Sequence, residues 1–488
     1  MHRRRLALTA ATLAALTASL APAVGAPVSA GAADEVEPTS PVALVGAPGA
    51  KLFREGRYAY GDLGLRVVAQ GGPLEIRTKR ASWDVEPVTT FTTSAGSGEV
   101  PRSMIRGFDQ LEDFVDITIR DAKGRAVWSR SPRVCLNSYE PQRMGPDAPA
   151  RSPYPYGCPW NPFTIGSVQG VAKGYGNPVT DFYSRTRLAA GRHTVVARIT
   201  PAWAALLGVA PEDATVRYPL QVRTARGGDG WGTGWRVAGG PVAPNGAAAH
   251  PEPQPPGDGG PVPDGPLADL KSLPAFGMSV TGTGNHLAFA ATVWNAGDSP
   301  LVVDGFRRRG EEMMDAYQYF FDAEGEQTGY RRIGAMHWHA APSHNHWHFL
   351  DFARYSLLSK DQAEVFRSRK QSFCLANTDA VDYTLPGADW QPDGTDLSTA
   401  CGGRGAQSVR QVLSAGSGDT YSQYRAGQSF NLKGLPNGQY WIAVDANPEG
   451  RLVESSTEDN RALRKIWLGG KPGARTVRVA PVGLITGS

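Results

Sequence analysis

Five of the chain's 9 histidines fall in one stretch, HWHAAPSHNHWHFLDFARY, at His337, His339, His344, His346 and His348. The last three alternate. On an extended strand successive side chains point to opposite faces, so His344, His346 and His348 share one face. Three imidazoles converging from a single strand form a ligand set for a borderline metal such as Cu(II) or Zn(II). Each neutral ring offers one lone pair to the metal while its other nitrogen donates to an outer partner. A single H-x-H step arises often by chance. An alternating triple with two more histidines just upstream is much rarer, and metal binding is the expectation.

The elements that must position these residues read mostly as strands. Residues 115–120 alternate apolar and polar, residues 121–124 (Asp-Ala-Lys-Gly) form a turn signal, and residues 126–128 resume, which predicts a hairpin. Residues 193–199, 287–294, 440–444 and 464–468 are further strand candidates, and the best helix candidate is 360–366. Between the two β-rich halves, residues 226–266 are dense in Gly and Pro and cannot bury enough apolar surface to offset chain entropy. They read as a mobile, partly extended linker. The expected fold class is all-β: two β-sandwich-like domains, residues 43–225 and 267–470, with a C-terminal tail at 471–488. The first domain carries no constellation with evident chemistry; its aromatics, such as Trp83, Trp128, Tyr154 and Trp160, read as packing residues.

The N-terminus indicates where a metal would be loaded. Arg3, Arg4 and Arg5 precede an Ala-rich apolar run, and Ala21-Pro22-Ala23 and Val24-Gly25-Ala26 are cleavage-type steps. Residues 1–26 are expected to be a signal peptide, cleaved somewhere within 23–33, and the run is too short for a membrane span. The 4 cysteines agree with export. They fall on opposite sides of the linker, so Cys135–Cys158 and Cys374–Cys401 are the expected bridges. The formal net charge is +4, about +1 without the leader arginines, and no clustered basic face marks a nucleic-acid partner.

With the histidines in view, the C-terminal half resembles the lysyl oxidase family of copper-dependent amine oxidases. Four ordered blocks carry the resemblance. The first is W-H…H-x-H-x-H-x-x-D, here Trp338, His339, His344, His346, His348 and Asp351, followed by Phe352 and Tyr355. The second is K-x-S-F-C-L, here Lys370 to Leu375, and the third is Asp419-Thr420-Tyr421. The last is a tail matched by Gly438, Tyr440, Asn447-Pro448, Val453, Glu454-Ser455 and Asp459-Asn460. Any one block is weak; four in this order make a strong match.

The resemblance implies a cofactor made from the protein itself, lysine tyrosylquinone, formed from Lys370 and Tyr421, with copper on His344, His346 and His348. It implies oxidative deamination of a primary amine, of a lysine side chain in an exported protein or of a small amine, by a secreted enzyme using molecular oxygen. The amine condenses with the quinone, a base removes the α-proton, and hydrolysis releases an aldehyde, with hydrogen peroxide and ammonia as the other products. Asp351 is a candidate base, or equally a partner that holds a ligand imidazole. Tyr424 is the alternative to Tyr421. This chain departs from the animal enzymes in having four residues, Ala340 to Ser343, between the W-H step and the triple, where those have two. His339 therefore stands outside the expected ligand set. The animal domains are also richer in disulfides.

Rival classes remain open on sequence. A cupin-like metal module would want a glutamate soon after the H-x-H, where this chain has Asp351. A copper electron-transfer domain needs a free Cys and usually a Met near the histidines. A topaquinone-type oxidase needs an Asn-Tyr step, and none exists here. The runner-up is a non-catalytic exported protein, metal-binding or cell-wall- or carbohydrate-binding.

Overall fold

Alternating apolar residues become strands with one buried face. In Val115–Arg120 the side chains of Val115, Ile117 and Ile119 are buried, and the strand pairs antiparallel with Ala126–Arg130, as the hairpin signal predicts. The candidate near His193 is the strand Gly191–Ile199, lying between Val115–Arg120 and Thr215–Thr224 in a six-stranded sheet. The computed structural model describes residues 40–180, 186–225 and 257–484, apart from 282, 309, 341–344, 369, 371, 392–394, 396, 425 and 426. The expected signal peptide and most of the expected linker, residues 226–256, lie outside the described residues. The remainder of that linker is mostly exposed but is tied to the C-terminal half, where Arg332 donates its amide to the Asp258 carbonyl (3.1 Å).

The chain is mostly β, in several sheets with few helices. The helix expected over 360–366 does not form. Ser359 donates its amide to Ala363 across a tight turn (2.8 Å), Gln362 adopts φ 63°, and Glu364–Arg367 is a strand paired with Ala353–Leu358. Lys360, Asp361 and Gln362 offer no apolar stripe for a helix to bury, whereas Phe366 packs on the core from an edge strand. The longer of the two α-helices among the described residues, Pro201–Leu207, starts on its proline, buries Trp203 and Leu207 four residues apart, and stops at Gly208 (φ 69°).

Three sheets enclose the C-terminal core. One runs in the order Ser372–Phe373, His346–Leu350, Gln327–His339, Met313–Phe321, Leu301–Arg307, Ser408–Leu413. A second runs Glu364–Arg367, Ala353–Leu358, Gly438–Ala446, Arg461–Lys471, Ala474–Val479, so part of the expected tail serves as its edge strand. The third centres on His286–Asn295, which pairs with Ser417–Tyr421. Phe289, Trp347, Tyr355, Phe373 and Ile442 fill the space between them. Burial of each such side chain contributes roughly 1.5–3 kcal/mol.

Both expected disulfides are present, Cys135–Cys158 and Cys374–Cys401, with Cα–Cα separations of 6.2 and 6.0 Å. Residues 38–488 cluster as one contact unit. Within it the two halves touch directly: Ile165 donates to the Val381 carbonyl (2.7 Å), Tyr383 donates to the Gly166 carbonyl (3.0 Å), and Ala380 and Tyr383 enter the N-terminal core.

Candidate active site

The histidines meet across a hairpin. Gln327–His339 pairs antiparallel with His346–Leu350, in a register that sets His337 opposite His348 and His339 opposite His346. Period-2 alternation then separates two faces. Trp338 and Trp347 lie edge to face on one side, with Trp347 wholly buried. The imidazoles lie on the other. The His346 and His348 ring centroids are 4.7 Å apart and those of His339 and His348 are 4.9 Å apart. His339 Nδ1 and His348 Nδ1 are 3.2 Å apart, and Ser372 Oγ lies 3.1 Å from His337 Nε2 and 3.2 Å from His348 Nδ1.

One ligand atom each from His337, His339 and His348 falls within a 4.8 Å span. Burial, and then the charge of His339, holds the His337 imidazole below its ordinary range; burial, and then the charge of Lys370, does the same for His339. Imidazoles held neutral are in the form that donates a lone pair, so this donor set fits a borderline metal ion. His344 lies outside the described residues; His346 and His348 share the face as expected. The position of His339 departs from the sequence reading. Ala340 to Ser343 do not separate His339 from the cluster, because the strands on either side of them pair antiparallel and set His339 opposite His346. A cross-strand register of this kind is visible in sequence only once the turn is known.

Lys370 and Tyr421 come together beside this face. Lys370 is buried, and its Nζ lies 4.1 Å from the Tyr421 ring centroid and 4.9 Å from that of Phe373. Three anchors hold the lysine segment. Ser368 donates its amide to the Tyr355 carbonyl (2.8 Å) and its hydroxyl to the Gly427 carbonyl (2.8 Å), and Ser372–Phe373 pairs with Leu350 and Phe349. Gly427 has φ 83°, and a β-carbon there would lie 3.3 Å from Lys370 Cβ, so the close approach calls for glycine. The Tyr421 hydroxyl donates to the Cys374 carbonyl (3.1 Å), and Phe373 packs edge-on against the Tyr421 ring at 5.0 Å. Tyr424, the alternative tyrosine, is 77% exposed.

Asp351 follows the histidine strand at φ 60° and pairs with Arg451 Nη1 (3.5 Å). The residues of the last block build a loop. Glu454 Oε1 accepts from Asn447 Nδ2 (2.6 Å) and from Asn460 Nδ2 (2.7 Å), and Glu454 Oε2 accepts the Leu270 amide (3.0 Å). Sequence reasoning quoted Asp419 within its block and assigned it no role. It is buried, and Lys370 is the positive charge acting on its carboxyl. The available signal was its i, i+2 spacing to Tyr421.

The β-rich C-terminal region thus brings converging imidazoles together with a buried lysine whose amine lies over a tyrosine ring. Residues 323–475 match the family model described as "Lysyl oxidase", and the C-terminal region is a lysyl oxidase family domain. Two curated relatives are distant: lysyl oxidase homolog 4 of Bos taurus, 29% identical over 145 residues (28% of this chain and 17% of that protein), and lysyl oxidase homolog 4 of Mus musculus, 29% identical over 139 residues (27% and 16%). The chain thus spans about one sixth of the length of the relatives it matches. No helix among the described residues is long and apolar enough to cross a membrane.

Proposed function

We propose that this protein is a secreted copper amine oxidase that converts primary amines, lysine side chains of exported proteins or small amines, to aldehydes, using oxygen and releasing hydrogen peroxide and ammonia. The observation that carries this reading is the buried Lys370 amine, 4.1 Å from the Tyr421 ring centroid, beside the imidazole face. In this reading His344, His346 and His348 hold copper, and His337 and His339 support them from the facing strand. When bound, copper and the lysine tyrosylquinone made from Lys370 and Tyr421 supply the electron sink and the route to oxygen.

The remaining residues position and shield. The Cys374 carbonyl orients the Tyr421 hydroxyl, and the Cys374–Cys401 bridge ties that carbonyl to Cys401, whose own carbonyl accepts the Trp347 amide (3.0 Å). Phe373 and Tyr355 line the interior against water. The pairing of Asp351 with Arg451 favours a positioning role, fixing the chain three residues after His348, over proton abstraction. Residues 267–470 form the catalytic domain in this reading, and residues 43–225 a second β-sandwich-like domain joined to it by the 226–266 linker.

The test is addition of phenylhydrazine to purified, copper-loaded protein, alongside measurement of amine-dependent peroxide. A coloured adduct on the peptide containing Tyr421 is expected. Stoichiometric copper with neither adduct nor peroxide would sink the reading in favour of a non-catalytic exported metal-binding or cell-wall- or carbohydrate-binding protein.

A further inference from the structure

We propose that Asp419 is the proton acceptor for the Lys370 amine while Lys370 and Tyr421 are being joined. The inference rests on the quinone reading above and adds to it the residue that makes the lysine nucleophilic. Asp419 and Tyr421 occupy positions i and i+2 of the strand Ser417–Tyr421, so they share a face. Their cross-strand partners, Val293 and Ala291, both line the C-terminal core. Asp419 is 3% exposed, and its Oδ2 is enclosed without a hydrogen-bond partner among the described residues.

A carboxylate–ammonium pair in such surroundings must be stripped of water on both sides, which costs several kcal/mol per ion. Transfer of one proton from the ammonium to the carboxylate removes both charges. The result is a neutral amine with a free lone pair, the form that can attack an oxidised ring. Burial holds the Asp419 carboxyl well above the usual carboxylate range, with the Lys370 charge opposing, as a proton-holding partner requires. Among the described residues, two other ionisable groups feel the charges of the pair. Tyr355 is fully buried, and burial followed by the Asp419 charge raises its phenol, so it stays protonated and cannot accept. His339 feels the Lys370 charge but belongs to the imidazole face.

The step balances with oxygen as oxidant. The Tyr421 ring exchanges one C–H for a C–O bond as a first O2 takes four electrons, one oxygen atom staying on the ring and the other leaving as water. Lys370 Nζ then bonds to a neighbouring ring carbon: one proton of the ammonium has gone to Asp419, and the ring C–H at the point of attack and one further N–H supply the two protons that the two ring oxygens gain. A second O2 removes two electrons and two protons as hydrogen peroxide.

The experiment uses the full chain, prepared without copper. Copper is added in aerated buffer from pH 6 to pH 9, and the cross-linked peptide containing Lys370 and Tyr421 is followed by mass spectrometry beside the metal content. Wild type should link at a rate nearly level with pH. Asp419→Asn should bind the same copper yet link at a rate that rises about tenfold per pH unit, since its lysine must then titrate toward its ordinary value near 10.4. Asp419→Glu should restore the level profile. Wild-type speed at pH 7 in Asp419→Asn would overturn the proposal, as would a wild-type rate that itself climbs tenfold per unit. The wild-type profile decides alone if Asp419→Asn does not fold. Copper uptake by wild type with no link at any pH would fell the quinone reading itself, a different result from either of these.

Discussion

The strand Ser417–Tyr421 has two polar faces that solve burial differently. On the inner face the Tyr421 ring meets a buried amine, and the charge of that amine acts on the buried Asp419. On the outer face Thr420 meets neutral groups: its hydroxyl lies 2.7 Å from that of Thr292, and Asn161 Nδ2 reaches from the N-terminal half to Thr292 Oγ1 (3.0 Å) and Thr420 Oγ1 (3.5 Å). Beside them Asp379, paired with Gly418, is buried against the same Asn161. Both aspartates are buried, but among the described residues only Asp419 feels the charge of a cation. A buried carboxyl next to an amine can serve chemistry, while one next to amides serves docking. The outer face is where the N-terminal half is stitched to the lysyl oxidase family domain.

The largest expected effects break the inner face. Tyr421→Phe should reduce amine-dependent peroxide to background and abolish the cross-linked peptide while copper stays bound. Full activity in that variant would transfer the role to Tyr424. His348→Ala should remove most bound copper by elemental analysis, and with it both link and activity. His337→Ala, on the facing strand, should weaken copper by about 10–100-fold, as loss of a supporting partner does. Unchanged copper there would confine the site to the alternating triple.

Smaller effects are expected on the outer face. Asn161→Ala leaves the Thr292–Thr420 pair and Asp379 short of a donor, and should cost about 1–3 kcal/mol in denaturant unfolding with the cross-link intact. Loss of the cross-link would show that the joint also shapes the site. Asp379 gives the joint a pH dependence. Burial raises its carboxyl to about 7, against hydrogen bonds from Asn161, Trp160 and Ala380. The folded state therefore holds this proton more tightly than the unfolded chain. The stability it contributes is complete below the ordinary value of 3.8 and is lost as pH rises toward about 7. Unfolding at pH 5 and pH 8 should show wild type weaker at pH 8, and Asp379→Asn should flatten that difference. The smallest effect is Tyr424→Phe, on an exposed ring, which should leave link, copper and peroxide unchanged.

The two faces also differ in how far they were legible. Lys370 and Tyr421 were found through ordered motif blocks, and no periodicity would have selected them. In the fold, Lys370 Nζ lies 4.1 Å from the Tyr421 ring centroid across 51 residues of chain. Asp419 stood in the same block, but sequence could not say that its face was the buried one. On the outer face, the contact of Asn161 with Thr420 spans 259 positions and left no local trace.

The amino-acid sequence by itself determined the β class, both disulfide pairs and the alternation that puts His346 and His348 on one face. Each of these follows from neighbours along the chain or from a short motif. Tertiary structure decided that His337 and His339 join the imidazole face, because a hairpin's register is set by pairing and turn. It decided that residues 364–367 extend a sheet and do not coil, because an edge strand offered partners that an isolated helix lacks. And it decided which of two aspartates lies beside an amine, since burial and charge at that point are made by segments that meet only when the chain folds.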